Sequence, residues 1–320
     1  MGSNIRLSRD CRIFVAGHRG LVGSALVRRL EELGCNNLMI RSHSDLNLTE
    51  QEAVDTFFRE YRPEFVFLAA ARVGGILANA THPAEFLRDN LAVQTNVIHS
   101  AWVHGCKKLL FLGSSCIYPR LAPQPIKEEY LLSGPLEPSN EAYAIAKIAG
   151  LKLAAAYRDQ YGFSTISLMP TNLYGPGDNF DLQSSHVVPA LIRRFHEAKI
   201  LGAASVAIWG TGTPRREFLH VDDLANAACF LMENYDGSDL LNVGVGEDLT
   251  ISELASMVAG VVGYNGRISF DSSRPDGTPR KLLDVSRIHA LGWRAKIPLE
   301  QGIVTTYDWY IAHSSTGVMT

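Results

Sequence analysis

Val15-Ala16-Gly17-His18-Arg19-Gly20-Leu21-Val22-Gly23 joins a short apolar run to an amphipathic one, and its glycines decide the fold. Gly17 permits a tight turn. Gly20 lets backbone N–H groups approach a pyrophosphate. Gly23 lets a helix pack close to the preceding strand. Before the loop, Arg12 to Ala16 reads as a strand; after it, Leu21 to Leu33 reads as a helix stopped by Gly34. A GxxGxxG spacing at the first strand–helix junction points to a bound dinucleotide, with a plain βα turn as the bland alternative.

The alternation continues outward. Leu38 to Arg41 reads as a strand. Thr49 to Tyr61 reads as a helix, with Thr49 at its cap and Glu52 completing a capping box. Phe65 to Ala70 and Lys108 to Leu112 read as strands, Asn90 to His104 as a helix ended by Gly105, and Ser167 to Met169 as a later strand. Strands alternating with helices predict an α/β fold, a Rossmann-like doubly wound parallel sheet covered on both faces.

Beyond Tyr174 the pattern loosens into Gly- and Pro-rich stretches such as Gly175-Pro176-Gly177 and Gly210-Thr211-Gly212. Phe218 to Asn234 then reads as a strand turning into a helix capped by Asp222 or Asp223, and Leu241 to Val243 as a strand. These shifts predict two domains: residues 8–173 with 218–245, and a smaller, discontinuous one from 174–217 and 246–313.

Composition narrows the class. The chain has 320 residues, 46% hydrophobic and 20% charged, which suits a folded domain and excludes disorder. Thirty Lys and Arg against 33 Asp and Glu leave a net charge of -3, with no general pull toward nucleic acid or acidic lipid. No apolar run approaches the ~20 residues that span a bilayer. The amino terminus has no signal pattern, and Arg6 stands where a myristoylation site wants Ser or Thr. Five Cys without a CxxC pair suggest a reducing, cytoplasmic setting. The histidines form no ligand spacing, so no metal is implied.

The end of the second strand chooses the cofactor. It runs Ile40-Arg41-Ser42-His43, with no carboxylate before Asp45 to grip the ribose of NAD. Arg41, with Arg19 in the loop, favours the extra phosphate of NADPH. Arg41 as a solvated surface residue is the alternative.

Tyr143-Ala144-Ile145-Ala146-Lys147 sets a phenol and an ammonium on one helix face. A fixed charge nearby lowers a phenol from its usual ~10, so Tyr143 is expected to exchange a proton near neutrality. Upstream, Leu110-Phe111-Leu112-Gly113-Ser114-Ser115-Cys116-Ile117-Tyr118-Pro119 puts hydroxyls at the carboxyl end of a strand, where open α/β sheets bind ligands.

With these motifs the chain resembles the extended short-chain dehydrogenase/reductases, from about residue 11 to 313. Pro170-Thr171-Asn172-Leu173-Tyr174-Gly175-Pro176 and Arg216-Glu217-Phe218-Leu219-His220-Val221-Asp222-Asp223 carry the same resemblance. Gly17-His18-Arg19-Gly20-Leu21-Val22-Gly23-Ser24, Val73-Gly74-Gly75-Ile76, Gly113 to Pro119, and Asn140-Glu141-Ala142-Tyr143 narrow it to the GDP-L-fucose synthase family. That family turns GDP-4-keto-6-deoxy-D-mannose into GDP-L-fucose by inverting C3 and C5 and reducing the C4 ketone with NADPH.

The resemblance implies roles. Ser114, rather than Ser115, would join Tyr143 and Lys147 as the reducing triad. Cys116 and His186 would be the base and acid pair for inversion. Cofactor contacts would come from Gly17 to Gly23, Arg41, His43, Leu112 to Ser115, Tyr143, Lys147, Pro170 to Leu173 and His186. His43 departs from the Arg that some members carry. Arg194, Trp209, Arg216 and Asp276 would hold the GDP-linked keto-deoxy sugar. Read alone, Cys116 is a small buried hydrophobe, His186 a helix-entry hydrogen bonder, Arg194 a surface charge and Trp209 a core residue. The family's dimers predict a homodimer through the apolar run Ala144, Ile145, Ile148, Ala149, Leu151, Leu153 and Ala154, which core burial explains equally well. Rival readings are another nucleotide-sugar epimerase, dehydratase or 4-ketoreductase, and a non-catalytic dinucleotide-binding regulator.

Overall fold

The computed structural model describes residues 7–314 apart from 183 and 275. The amino-terminal stretch read for targeting signals lies mostly outside the described residues. The first half builds β1 (Ile13–Ala16), α1 (Leu21–Glu32), β2 (Leu38–Met39), α2 (Gln51–Tyr61), β3 (Phe65–Leu68), α3 (Ile76–Thr81), α4 (Pro83–Val103), β4 (Lys108–Leu112), α5 (Glu141–Tyr161) and β5 (Thr165–Pro170). The second half adds β6 (Asn172–Tyr174), α6 (Val187–Ile200), β7 (Ser205–Trp209), β8 (Arg215–Arg216), β9 (Phe218–His220), α7 (Val221–Asn234) and β10 (Leu241–Val243). It closes with β11 (Leu249–Thr250), α8 (Ile251–Val262), β12 (Arg267–Asp271), β13 (Arg280–Lys281), α9 (Ser286–Ala290) and α10 (Leu299–Ser314).

The main sheet has six strands in the order β10-β5-β4-β3-β1-β2, all parallel. Both faces are covered by helices, so β1, β3, β4 and β5 are buried along their whole length. The order reverses between β1 and β3, and such a reversal opens the crevice where dinucleotides bind. Phe14 meets Phe57 and Phe58 with centroids 4.7 and 5.8 Å apart. Each such ring contributes about 1.5–3 kcal/mol through burial.

A second apolar cluster gathers Phe195, Leu254, Val258, Ile303 and Tyr307 from α6, α8 and α10. The smaller sheets β12-β7, β11-β8-β13 and β6-β9 lie in the second half. Leu283, Val285, Ile288 and Trp293 join the first cluster instead of the second. They fall inside the stretch expected in the smaller domain. The isolated bridge between Ile126 and Leu283, with the Asn242 side chain of β10 donating to Ile126 O at 2.9 Å and Asp284 O at 3.1 Å, holds this segment against the main sheet.

Three local expectations change. Thr49 does not cap α2: Asn47 Oδ1 takes the Thr49 N–H at 3.1 Å and its hydroxyl at 2.8 Å, so the helix starts at Gln51 without a side-chain cap. The cap of α7 is His220, whose Nδ1 accepts from the Asp222 N–H at 3.2 Å. Asp222 instead pairs with Arg28 at 2.5 Å, and Asp223 accepts from the N–H groups of Lys296 and Ile297. Finally, α4 begins at Pro83 in its first turn, well before Asn90. On α5 the apolar run divides: Ala144, Ile148, Leu151 and Ala154 are buried, while Ile145 is exposed.

Candidate active site

The glycine loop leaves β1 at the reversal point. Gly17 has φ +87°, and a Cβ there would lie 2.8 Å from the Ala70 backbone, just past β3. A Cβ on Gly23 would fall 2.0 Å from Gly17 O. Glycine is thus required at both places, which brings the start of α1 against the crevice. His18, Arg19, Leu21 and Val22 continue the loop into that helix.

Past the end of β2, Asp45 is exposed but engaged locally, accepting from the Ser42 N–H at 3.2 Å and its hydroxyl at 2.5 Å. Those bonds, with the charges of Arg19 and Arg41, hold its carboxyl below the usual range. His18 is pushed down by burial and by Arg19. The Arg41 guanidinium lies 4.7 Å from the Tyr61 ring centroid, and His43 is exposed beside it. The acidic side chain is thereby occupied while two arginines stay at hand, which fits a dinucleotide carrying a further phosphate.

Ser114 follows β4 and caps a short turn, accepting from the Cys116 N–H at 3.3 Å. Gly113 donates its N–H to Leu168 O at 2.9 Å. Lys147 is buried and donates to Leu112 O at 2.7 Å, with its nitrogen 5.8 Å from the Tyr143 ring centroid. Burial lowers the Lys147 ammonium to about 8. The expected downward shift of Tyr143 does not occur. Burial pushes its phenol up, the Cys116 thiol adds to this, and only the Ser114 hydroxyl pulls it down. Ser115 is buried beside them, its side chain among those lining the small cavity described below.

Cys116 is 8% exposed, and burial raises its thiol, opposed first by Lys281 and then by Ser114 and Lys147. His186 caps the start of α6; surrounding protein, and then the Lys281 charge, lower its imidazole from the usual value. Lys281 is the residue that sequence reasoning missed. It sits on a two-residue strand with no periodicity, and it lies near Cys116, His186, Arg216 and Glu137. A cavity of about 50 Å³ is lined by Cys116, Asn140, Thr278 and Lys281, among others. Burial lowers Lys281, and Cys116 raises it.

Farther out, Trp209 is 60% exposed, not in the core. It lies between Arg194 and Arg274, at 5.7 and 5.0 Å from its ring centroid. Such an open, cation-flanked indole can receive a flat base. Arg216 is lowered by burial and held up by Asp276 and Glu137. The Asp276 carboxylate is engaged by the Thr211 N–H at 2.9 Å and hydroxyl at 2.7 Å, so it shapes the turn after Trp209. Pro170 to Leu173 leave β5: the Thr171 N–H donates to Val243 O at 3.0 Å, and the Asn172 side-chain N–H to Glu217 O at 2.8 Å. Among the described residues, no cluster of three His, Cys, Asp or Glu side chains could hold a metal ion, and no helix is long and apolar enough to cross a membrane.

Comparison with known proteins adds to this geometry. The NAD dependent epimerase/dehydratase family matches residues 13–244. A protein of Arabidopsis thaliana named GDP-L-fucose synthase 1 is 58% identical, over 97% of each chain. The crystal structure of a GDP-6-OMe-4-keto-L-xylo-heptose reductase from C. jejuni superimposes with a TM-score of 0.92 at 41% identity, covering 97% of this chain and 99% of that one. A GDP-L-fucose synthetase from Naegleria fowleri bound to NADP gives 0.91 at 30% identity, covering 98% and 96%.

Proposed function

Because the chain belongs to the NAD dependent epimerase/dehydratase family, and within it to the GDP-L-fucose synthases, we propose that it converts GDP-4-keto-6-deoxy-D-mannose to GDP-L-fucose. It inverts C3 and C5 and reduces the C4 ketone. The observation that carries this reading is the meeting of two sets of groups. Ser114, Tyr143 and Lys147 stand beside Cys116, and Cys116 and His186 share the neighbour Lys281. An enzyme that only reduces has no need of the second set.

The C4 ketone acidifies the protons at both C3 and C5, so one oxyanion site serves both inversions. The Ser114 and Tyr143 hydroxyls donate to that oxygen. Burial keeps the phenol protonated, ready to give its proton at the oxygen. Lys147 stays close to the phenol and anchors α5 to the end of β4. Cys116 and His186 act as the base and acid pair on the flanking carbons. The Lys281 ammonium draws the buried thiol toward thiolate. The glycine loop, Arg19, Arg41 and His43, with Leu112 to Ser115 and Pro170 to Leu173, hold NADPH, which supplies the hydride when bound. Arg194 and Arg216 grip the diphosphate, Trp209 takes the base, and Asp276 fixes the turn that carries it.

We propose a cofactor domain, residues 8–173 with 218–245, and a nucleotide-sugar domain, residues 174–217 with 246–313, from which Leu283, Val285, Ile288 and Trp293 reach into the first apolar cluster. We also propose a cytoplasmic homodimer that binds neither nucleic acid nor membrane. The thiols of Cys35, Cys106, Cys116 and Cys229 suit a reducing compartment.

The test supplies GDP-4-keto-6-deoxy-D-mannose and NADPH and follows nicotinamide absorbance and product stereochemistry. Loss of absorbance with GDP-L-fucose as product is expected. Reduction without inversion supports instead a 4-ketoreductase, the reading favoured by the likeness to the heptose reductase. Keto sugars on other nucleotides, run in parallel, test the preference for guanine.

A further inference from the structure

Glu217 follows Arg216 in the chain and is completely buried. Its carboxylate faces main-chain amides from two other segments. Oε1 accepts from the Val245 N–H at 2.6 Å and the Gly246 N–H at 2.7 Å, and Oε2 accepts from the Leu283 N–H at 3.0 Å. Its own carbonyl oxygen accepts from the Thr171 hydroxyl at 3.2 Å and the Asn172 side chain at 2.8 Å. Four stretches of chain therefore meet at one residue.

Two of these stretches carry groups of the site. Arg216 is adjacent, and Lys281 lies two residues before Leu283. The strands that hold them, β8 and β13, are two residues long and pair Lys281 with Arg216. So short a ladder has few hydrogen bonds of its own, and the carboxylate adds a tie beside it. The room for it is kept by Gly244, where a Cβ would lie 2.2 Å from Oε1. Only a carboxylate suits the place. Both oxygens face donors, and the NH2 of a glutamine would oppose an amide N–H on one side. Aspartate is one methylene shorter and cannot reach both neighbours.

We propose that Glu217 is a positioning residue: its carboxylate locks β8 to β13 and to the turn after β10, so that Arg216 and Lys281 face one pocket. The proposal rests on the reading of Arg216 as a diphosphate ligand and Lys281 as the neighbour of the reacting thiol. It assigns cofactor retention to the carbonyl of Glu217, which side-chain substitution leaves in place.

The experiment compares wild type with Glu217→Gln and Glu217→Asp in the full chain. It reads GDP affinity by calorimetry, KM for the keto sugar, solvent deuterium uptake at C3 and C5, NADPH affinity and melting temperature. In Glu217→Gln, GDP affinity falls and KM rises by roughly ten- to hundredfold, deuterium uptake slows, and NADPH affinity is unchanged. Glu217→Asp, which keeps the charge, recovers part of the GDP affinity. Wild-type GDP affinity and KM in Glu217→Gln overturn the proposal. So does a loss that strikes NADPH and GDP affinity equally, which marks a merely structural role. If Glu217→Gln does not fold, Gly244→Ala decides. It displaces the carboxylate, so it must weaken GDP binding with NADPH binding intact, and unchanged GDP affinity overturns the idea. A wild type inert on the keto sugar refutes the proposed function, while the GDP measurement still judges Glu217.

Discussion

Cys116 and Lys281 make the sharpest claim at the level of single side chains. A buried thiol stays protonated unless something favours its charge, and the ammonium of Lys281 is the first group that does so. Removing that charge in Lys281→Met raises the thiol further. The pH profile of solvent deuterium uptake at C3 and C5 then moves to higher pH, and an unmoved profile denies Lys281 this part. Cys116→Ser is expected to keep NADPH affinity and lose deuterium uptake; full exchange in that variant removes the thiol from the mechanism. Tyr143→Phe keeps the ring and loses the proton donor. Its turnover falls by roughly 10²–10⁴-fold with NADPH binding retained, checked by single-turnover kinetics.

What could be read from sequence at this level was what lies close in sequence. Tyr143 and Lys147 are one helical turn apart, and Ser114 and Cys116 share one strand end. Lys281 escaped notice because a two-residue strand, paired with Arg216 across 65 residues of chain (281 minus 216), brings it in, and the amides that receive the Glu217 carboxylate are likewise distant in sequence. The environment of Tyr143 escaped for a related reason. Its ammonium neighbour was visible, but the protein mass that buries the phenol was not.

Among the elements, strands and helices of the first half were legible because buried parallel strands are continuous apolar runs and the intervening helices are amphipathic. Their ends were less so. Thr49 looked like a cap, but Asn47 lies nearer and takes both of its donors. A true capping box is at α8, where Thr250 accepts from the Glu253 N–H at 3.1 Å and Glu253 accepts in return from the Thr250 N–H at 2.7 Å. Thr250→Ala is therefore expected to destabilise the protein by about 1 kcal/mol in urea unfolding without changing turnover. Thr49→Ala, which leaves the first turn of α2 as it is, costs less. Equal costs for the two contradict the cap assignment.

For the molecule as a whole, the main sheet sets the crevice at the reversal between β1 and β3, and the second apolar cluster supports α6 and β7, which carry Arg194 and Trp209. On α4 and α5, Val103, Ile145 and Tyr161 are 47%, 43% and 46% exposed, apolar surface that the proposed homodimer would cover in part. Sedimentation is expected to give twice the 35.1 kDa chain mass, and Ile145→Glu with Tyr161→Glu to return it to one. A wild-type monomer contradicts the dimer. The origin of the hydrogens on C3 and C5 decides the mechanism. GDP-4-keto-6-deoxy-D-mannose and NADPH are turned over by the enzyme in deuterium oxide, and the sugar product is examined by NMR and mass spectrometry. The expected product is GDP-L-fucose carrying solvent deuterium at both C3 and C5; a product reduced at C4, with protium and unchanged configuration at both carbons, rules out the epimerase–reductase mechanism.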